Sequence, residues 1–245
     1  MRIIPAIDLI DGNCVRLTQG DYAQKKIYHS DPLDVAKMFE DAGLQYLHLV
    51  DLDGAKAGQV TNWKVVQSIA SQTKLQVDFG GGIKTEDEIQ KLLDLGVRQV
   101  NLGSIAVKRP YRVYEWMEKF GAERIILSAD VRDEHVQISG WQEATAMHAE
   151  TFIRGYAQQG VCYVTCTDIS TDGMLAGPNV SLYKKLIAAF PQVNFIASGG
   201  VSEVKDLNEL KASGVFGAIV GKAIYENRIA LADLAAFEKK DNTSC

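Results

Sequence analysis

The sequence predicts an α/β fold, a (βα)8 TIM barrel with an internal half-barrel duplication. Three observations predict it. Eight short β-rich runs alternate with helical patterns, as in βαβ units that share one parallel sheet. No linker, charge run or low-complexity stretch interrupts the series before the tail Asp241-Asn242-Thr243-Ser244-Cys245, so 1–245 is expected to form a single domain. Glycines and carboxylates at the strand ends recur at near-constant spacing. Gly81 and Gly199 are 118 apart, as are Gly103 and Gly221, while Asp8 and Asp130 are 122 apart.

The expected strands run from Ile3 to Asp8, Tyr46 to Asp51, Leu75 to Phe79, Gln99 to Gly103, Arg124 to Asp130, Cys162 to Thr167, Asn194 to Ser198 and Gly217 to Gly221. A helical pattern follows each. Thr85-Glu86-Asp87-Glu88 reads as a capping box, with the Thr85 hydroxyl and the Glu88 carboxylate each accepting from the other's backbone. Its helix carries Ile89, Leu92 and Leu93 on one face and stops at Gly96. Pro110 suits a first helical turn, and Ser202 opens a helix bearing Val204, Leu207 and Leu210.

Composition narrows the function. With 47% hydrophobic and 23% charged residues and a mean hydropathy of -0.06, the chain reads as soluble and globular. Lys+Arg 26 against Asp+Glu 31 gives a net charge of -5, so no basic field steers it onto nucleic acid or an anionic membrane. No apolar run approaches the ~18 residues of a span, and the N-terminus lacks a signal-peptide core, so a cytoplasmic monomer is expected. Cys14, Cys162, Cys166 and Cys245 form no CxxC pair, and His29, His48, His135 and His148 are widely separated. Neither a zinc site nor a disulfide framework is expected, and no metal or cofactor is implied.

Active sites of such barrels lie at the C-terminal strand ends. Asp8 and Asp130 end the first and fifth strands and would face each other across the mouth. Each shares a strand face with a small residue two positions earlier, Ala6 and Ser128, which leaves room for a ligand. Thr167, on the face of Thr165, could bond substrate or orient Asp130. Gly80-Gly81-Gly82-Ile83 and Gly103-Ser104 end strands three and four, while Gly199-Gly200 and Gly221-Lys222 end strands seven and eight. Glycine lets backbone N–H groups approach an anion closely, so an acidic protein can hold phosphate without a basic surface. Two such clusters imply a small molecule phosphorylated at both ends. Gly177 joins the second cluster, and Arg16, Asp51 and Asp78 are further candidates for substrate contact. Trp141, in the long segment after strand five, could cover an aromatic ring. His48, three residues before its strand end, reads as a packed strand residue, and Asp172-Gly173 reads as a turn.

These motifs, with Val50-Asp51-Leu52-Asp53-Gly54-Ala55, Ser139-Gly140-Trp141, Thr167-Asp168-Ile169, Gly177-Pro178-Asn179 and Gly221-Lys222-Ala223, resemble the ProFAR isomerases of histidine biosynthesis along nearly the whole chain. That resemblance implies a (βα)8 barrel performing a metal-free, cofactor-free Amadori rearrangement of an aminoaldose to an aminoketose. It also implies Asp8 as general base, Asp130 as general acid and Thr167 as a supporting hydroxyl. Asp133-Glu134-His135 departs from the glycine-containing turn common there. The sister cyclase subunit of imidazole glycerol phosphate synthase shares the repeat and the paired aspartates. It usually has lysine where Arg16 stands and Cys-Leu-Asp where Ala6-Ile7-Asp8 stands. A dual-substrate isomerase also acting on phosphoribosylanthranilate, and a non-catalytic phosphate-binding barrel, complete the alternatives.

Overall fold

The computed structural model describes residues 1–18 and 20–242. Eight parallel strands close into a barrel: β1 (Arg2–Ile10), β4 (Tyr46–Asp51), β5 (Gln76–Gly80), β6 (Gln99–Leu102), β7 (Ile125–Arg132), β10 (Tyr163–Asp168), β11 (Asn194–Ser198) and β12 (Gly217–Val220). Closure comes from β12 pairing with β1 and from β10 pairing with both β7 and β11. The main helices of the outer ring are α1 (Pro32–Asp41), α3 (Trp63–Gln72), α4 (Glu86–Asp94), α6 (Pro110–Phe120), α7 (Ala149–Ala157), α8 (Val180–Ala189), α9 (Val204–Ser213) and α11 (Leu231–Asn242). Shorter helices α2 (Leu52–Ala57), α5 (Ser104–Lys108) and α10 (Lys222–Tyr225) follow directly on β4, β6 and β12. Strand ends fall within two residues of expectation, and the Thr85–Glu88 capping box is present.

Two hairpins were not anticipated. β2 (Asn13–Thr18) folds back on β1 and carries β3 (Asp21–His29), while β8 (His135–Ile138) and β9 (Glu143–His148) extend β7. β3 is mostly exposed on both faces, so no buried face imposes an apolar alternation on it, while β8 does alternate, burying Val136 and Ile138, but is only four residues long.

Alternation assigns each barrel residue to the helix layer or the interior. Leu47 and Leu49 join the large core between sheet and helices, as do Val77, Phe79, Leu127 and Ala129. Following the pairing register, and advancing one residue per strand as barrel shear requires, stacks the interior residues in layers of four from alternate strands. Ile4, Asp78, Ile126 and Ile196 form a low layer; above it lies a floor of His48, Asn101, Thr165 and Ile219. The next layer, Ala6, Gly80, Ser128 and Ser198, consists of small residues only. Val50, Gly103, Thr167 and Gly221 follow, and the same rule puts Asp8, Gly82, Asp130 and Gly200 at the rim. The opposite end is closed by Arg2, whose guanidinium lies over the rings of Phe216 and Tyr46 at 4.4 and 4.6 Å.

Candidate active site

The small-residue layer opens a cavity of about 210 Å³ at the C-terminal strand ends. Asp8, Asp130 and Thr167 all line it. Their convergence follows from register, since Thr167 stands directly beside Asp130 on adjoining strands, and Asp8 shares its interior face with Ala6.

The two aspartates have different surroundings. Burial raises Asp130 above the ordinary carboxylate range, against hydrogen bonds from Trp141, Thr167 and Ser128 that favour its anion. The Trp141 indole donates to Asp130 Oδ2 at 2.9 Å. Asp8 instead is ion-paired: Arg16 Nη1 lies 2.6 Å from its Oδ2. Burial opposes the Arg16 charge, but Asp8 and then Asp172 hold the guanidinium firmly protonated. Asp172 completes the set, and sequence reasoning missed it. Burial pushes its pKa up to about 6, with Asp8 and Asp130 adding to the shift and Arg16 and Lys222 opposing it. Its Asp-Gly context signals a turn, so only the fold reveals that this turn tips the carboxylate into the mouth.

A smaller compartment of about 30 Å³ adjoins the cavity, lined by Gly173, Gly199, Gly200, Gly221, Lys222 and others. Arg16 and Asp172 line both spaces. Arg16 sits so close to Gly221 that a Cβ there would fall 1.4 Å from Nη2. Lys222 Nζ donates to the Gly173 carbonyl at 2.7 Å, closing the compartment's far side. On the opposite side of the mouth, Gly81, Gly82, Gly103 and Ser104 line the main cavity together with Lys84. Sequence reasoning did not include Lys84. Its pKa is lowered by burial and by Lys108, an environment that an anion would relieve.

The glycines divide into two kinds. A Cβ on Gly81 would meet the Asp51 carbonyl at 2.2 Å, and on Gly82 the Gln59 carbonyl at 2.5 Å. Gly199 and Gly200 repeat this against Asp168 and Gly177, at 2.7 and 2.2 Å, and all four have positive φ. Gly177, also at positive φ, donates its N–H to the Gly200 carbonyl. Gly103 and Gly221 have negative φ and end their strands at the starts of α5 and α10. The first set shapes the loops; of the second, Gly103 lines the main cavity and Gly221 leaves the room that the Arg16 guanidinium occupies.

The halves match in detail. The Asp51 carboxylate accepts from Gly54, Thr61 and Asn62; the Asp168 carboxylate accepts from Ser170 and Asn179. Glu88 accepts from the backbone of Lys84 and Thr85, as Asp206, 118 residues later, does from Ser202 and Glu203. Asn62 and Asn179 stand at the N-caps of α3 and α8.

A family described as Histidine biosynthesis protein matches residues 2–230. The chain belongs to that family. Among curated relatives it is similar to the 1-(5-phosphoribosyl)-5-((5-phosphoribosylamino)methylideneamino)imidazole-4-carboxamide isomerases of Cytophaga hutchinsonii, Parabacteroides distasonis and Flavobacterium psychrophilum. Identity is 53%, 51% and 53% over 237 residues in each case. Each alignment covers 97% of this chain, and 99%, 99% and 98% of the respective relative.

Within this histidine biosynthesis fold, three side-chain expectations need correction. Asp51 does not line the cavity: it points into the helix layer, is fully buried, and fixes the loop ahead of α3. Asp78 lies beneath the cavity floor, bonded to His48 and Asn101. His48 is no mere packing residue, because it lines the cavity. Residues three apart on a strand face opposite sides, so an inward His48 requires an outward Asp51, while Asp78 faces inward but one layer below His48. Trp141 meets the cavity from the β8–β9 turn, and a Cβ on Gly20 of the β2–β3 turn would come within 2.5 Å of its indole. The two hairpins thus touch above the mouth. Ser104 Oγ accepts from the Ser139 backbone at 2.9 Å, tying the same turn to the strand-four cluster.

Proposed function

We propose that this chain is an intramolecular aldose–ketose isomerase that converts ProFAR, the substrate in the names of its relatives, by an Amadori rearrangement. The observation that carries the reading is the pairing at the rim. Asp8 and Asp130 share one layer of one cavity, one ion-paired with Arg16 and the other buried so that protonation is favoured. Two carboxylates in unlike surroundings, one beside a guanidinium and one buried, are what a division into base and acid needs.

Asp130 delivers its proton to the ribose ring oxygen as the bond to the anomeric carbon breaks and the adjoining nitrogen, keeping its own proton, forms a protonated imine. Asp8 removes the proton from the neighbouring carbon, and the electron pair moves to nitrogen, giving an enolamine. Its hydroxyl then loses a proton while the former anomeric carbon gains one, leaving an aminoketose. No net atoms or electrons enter. Thr167 fixes Asp130 through its hydroxyl. Trp141 occupies the acid in this structure and would exchange that bond for contact with the substrate. The phosphates would take the two glycine clusters, with Gly103, Ser104 and Lys84 at one end and Gly221, Lys222 and Arg16 at the other. Oriented N–H groups do the holding, which suits a chain of net charge -5.

Purified protein given ProFAR, without glutamine or ammonia, should form the ketose product with a measurable absorbance change. No conversion of ProFAR, with ammonia-dependent consumption of its ketose isomer, would instead identify a cyclase.

A further inference from the structure

Chemistry at the rim leaves the cavity floor unassigned, yet that floor is polar where a barrel interior is ordinarily branched and apolar. His48, Asn101 and Thr165 supply three of its four residues, all lining the cavity. Two of their atoms, Asn101 Oδ1 and Thr165 Oγ, are buried with no protein hydrogen-bond partner among the described residues. Asn101 is 7% and Thr165 3% exposed, so neither atom is satisfied at an open surface.

The orientation of these groups is determined by what lies below. Asp78 is a buried carboxylate in a layer otherwise made of isoleucines. A carboxylate accepts only, so the Asn101 amide must turn its nitrogen down to Asp78 and its oxygen up. His48 likewise turns Nδ1 to Asp78. Burial works against an imidazolium there, but the charge and hydrogen bond of Asp78 outweigh it and raise the His48 pKa. The floor therefore offers the cavity an acceptor, a hydroxyl and the imidazole Nε2, whose protonation the neighbouring Asp78 favours. Directly above, Ala6, Gly80, Ser128 and Ser198 are all small, and only side-chain adjustment at this layer separates the two buried oxygens from the cavity that their residues line.

We propose that this floor is a sugar-hydroxyl subsite, in which His48, Asn101 and Thr165 hold the hydroxyls of the reacting ribosyl chain beneath Asp8 and Asp130. It rests on the isomerase reading and names the part of the substrate that lies deepest. Alcohols both donate and accept, matching this mixed set. An anion would meet the Asn101 oxygen and the Asp78 charge, and an apolar ring would leave both buried atoms unpaired. Positioning at the floor would align the proton-bearing carbon with the base, where small displacements are costly to rate.

Thr165→Val tests this without changing side-chain shape. Wild-type and variant enzymes are compared on ProFAR and on its analogue lacking the 3′-hydroxyl of the rearranging ribose, with melting temperatures recorded. The subsite predicts a roughly tenfold loss of kcat/KM on ProFAR, as expected for one hydrogen bond, and less than twofold on the deoxy analogue. The melting temperature should hold or rise, since a buried unpaired hydroxyl has been removed. His48→Gln should also lose kcat/KM on ProFAR while remaining folded. Unchanged kinetics in Thr165→Val with raised stability, or equal losses on both substrates, would overturn the subsite. Wild-type protein that fails to turn over ProFAR would overturn the isomerase reading instead.

Discussion

A carboxylate that must give up a proton needs surroundings that penalise its charge, and Asp130 has them between Trp141, Thr167 and the barrel interior. Asp8→Asn and Asp130→Asn should each lower turnover at least ~10²-fold with little effect on folding, because positioned acids and bases typically contribute that much. Near-normal turnover in either variant contradicts the assignment. The Trp141 hydrogen bond favours the Asp130 anion, so Trp141→Phe should raise the Asp130 pKa further. A general acid is lost as pH rises, so the alkaline limb of the rate profile should move to higher pH in that variant; a shift to lower pH contradicts it. Asp172 gives a stability counterpart. Its folded pKa of about 6 exceeds the ordinary aspartate value of 3.8, so the fold favours its protonated form. That advantage is present below pH ~4 and lost as pH rises through about 6. Asp172→Asn should therefore stabilise the protein at pH 8 by roughly 1–3 kcal/mol relative to its effect at pH 4, read from denaturant midpoints at both pH values. Asp8, Asp130 and Thr167 were legible in the sequence because strand ends mark the mouth. His48 and Asp172 were not, because register and turn geometry decide which side chain enters it.

At the level of elements, the loops after β5 and β11 owe their shape to glycines that no other residue can replace. Gly82→Ala would combine a positive φ with a Cβ 2.5 Å from a carbonyl, so it should destabilise by on the order of 1–3 kcal/mol and lower the melting temperature. Gly103→Ala is different, because its Cβ would meet Ser128 Cβ at an ordinary 3.5 Å. It should melt like wild type yet raise KM by filling space where a phosphate approaches. Matching stability losses in both variants would erase the distinction between loop-shaping and ligand-facing glycines. The sequence could locate the clusters but could not divide them, since the division depends on backbone packed from residues such as Asp51 and Gly177. The hairpins were illegible for a related reason. Asp21–His29 has no buried face to impose alternation, and its strand exists by pairing with β2 above the barrel.

The whole molecule is two matching halves placed around one mouth. Asp51 and Asp168 brace equivalent loops, Glu88 and Asp206 cap equivalent helices, and Gly103 and Gly221 end equivalent strands. This pattern was legible because parallel barrels repeat one unit, so spacing survives where side chains diverge. The halves differ where chemistry requires it: Asp8 is paired with Arg16 from its own hairpin, while Asp130 is covered by Trp141 from the other. A symmetric frame thus carries two unlike carboxylates and two glycine-lined ends of one mouth, to which the proposed function assigns the two phosphates of one substrate. The most direct test is single-turnover conversion of ProFAR by wild type, Asp8→Asn and Asp130→Asn, followed by absorbance without glutamine or ammonia. Wild type should form the ketose product, and both variants should bind ProFAR with conversion slowed at least ~10²-fold. Rapid product formation by either variant, or none by wild type, would contradict the account.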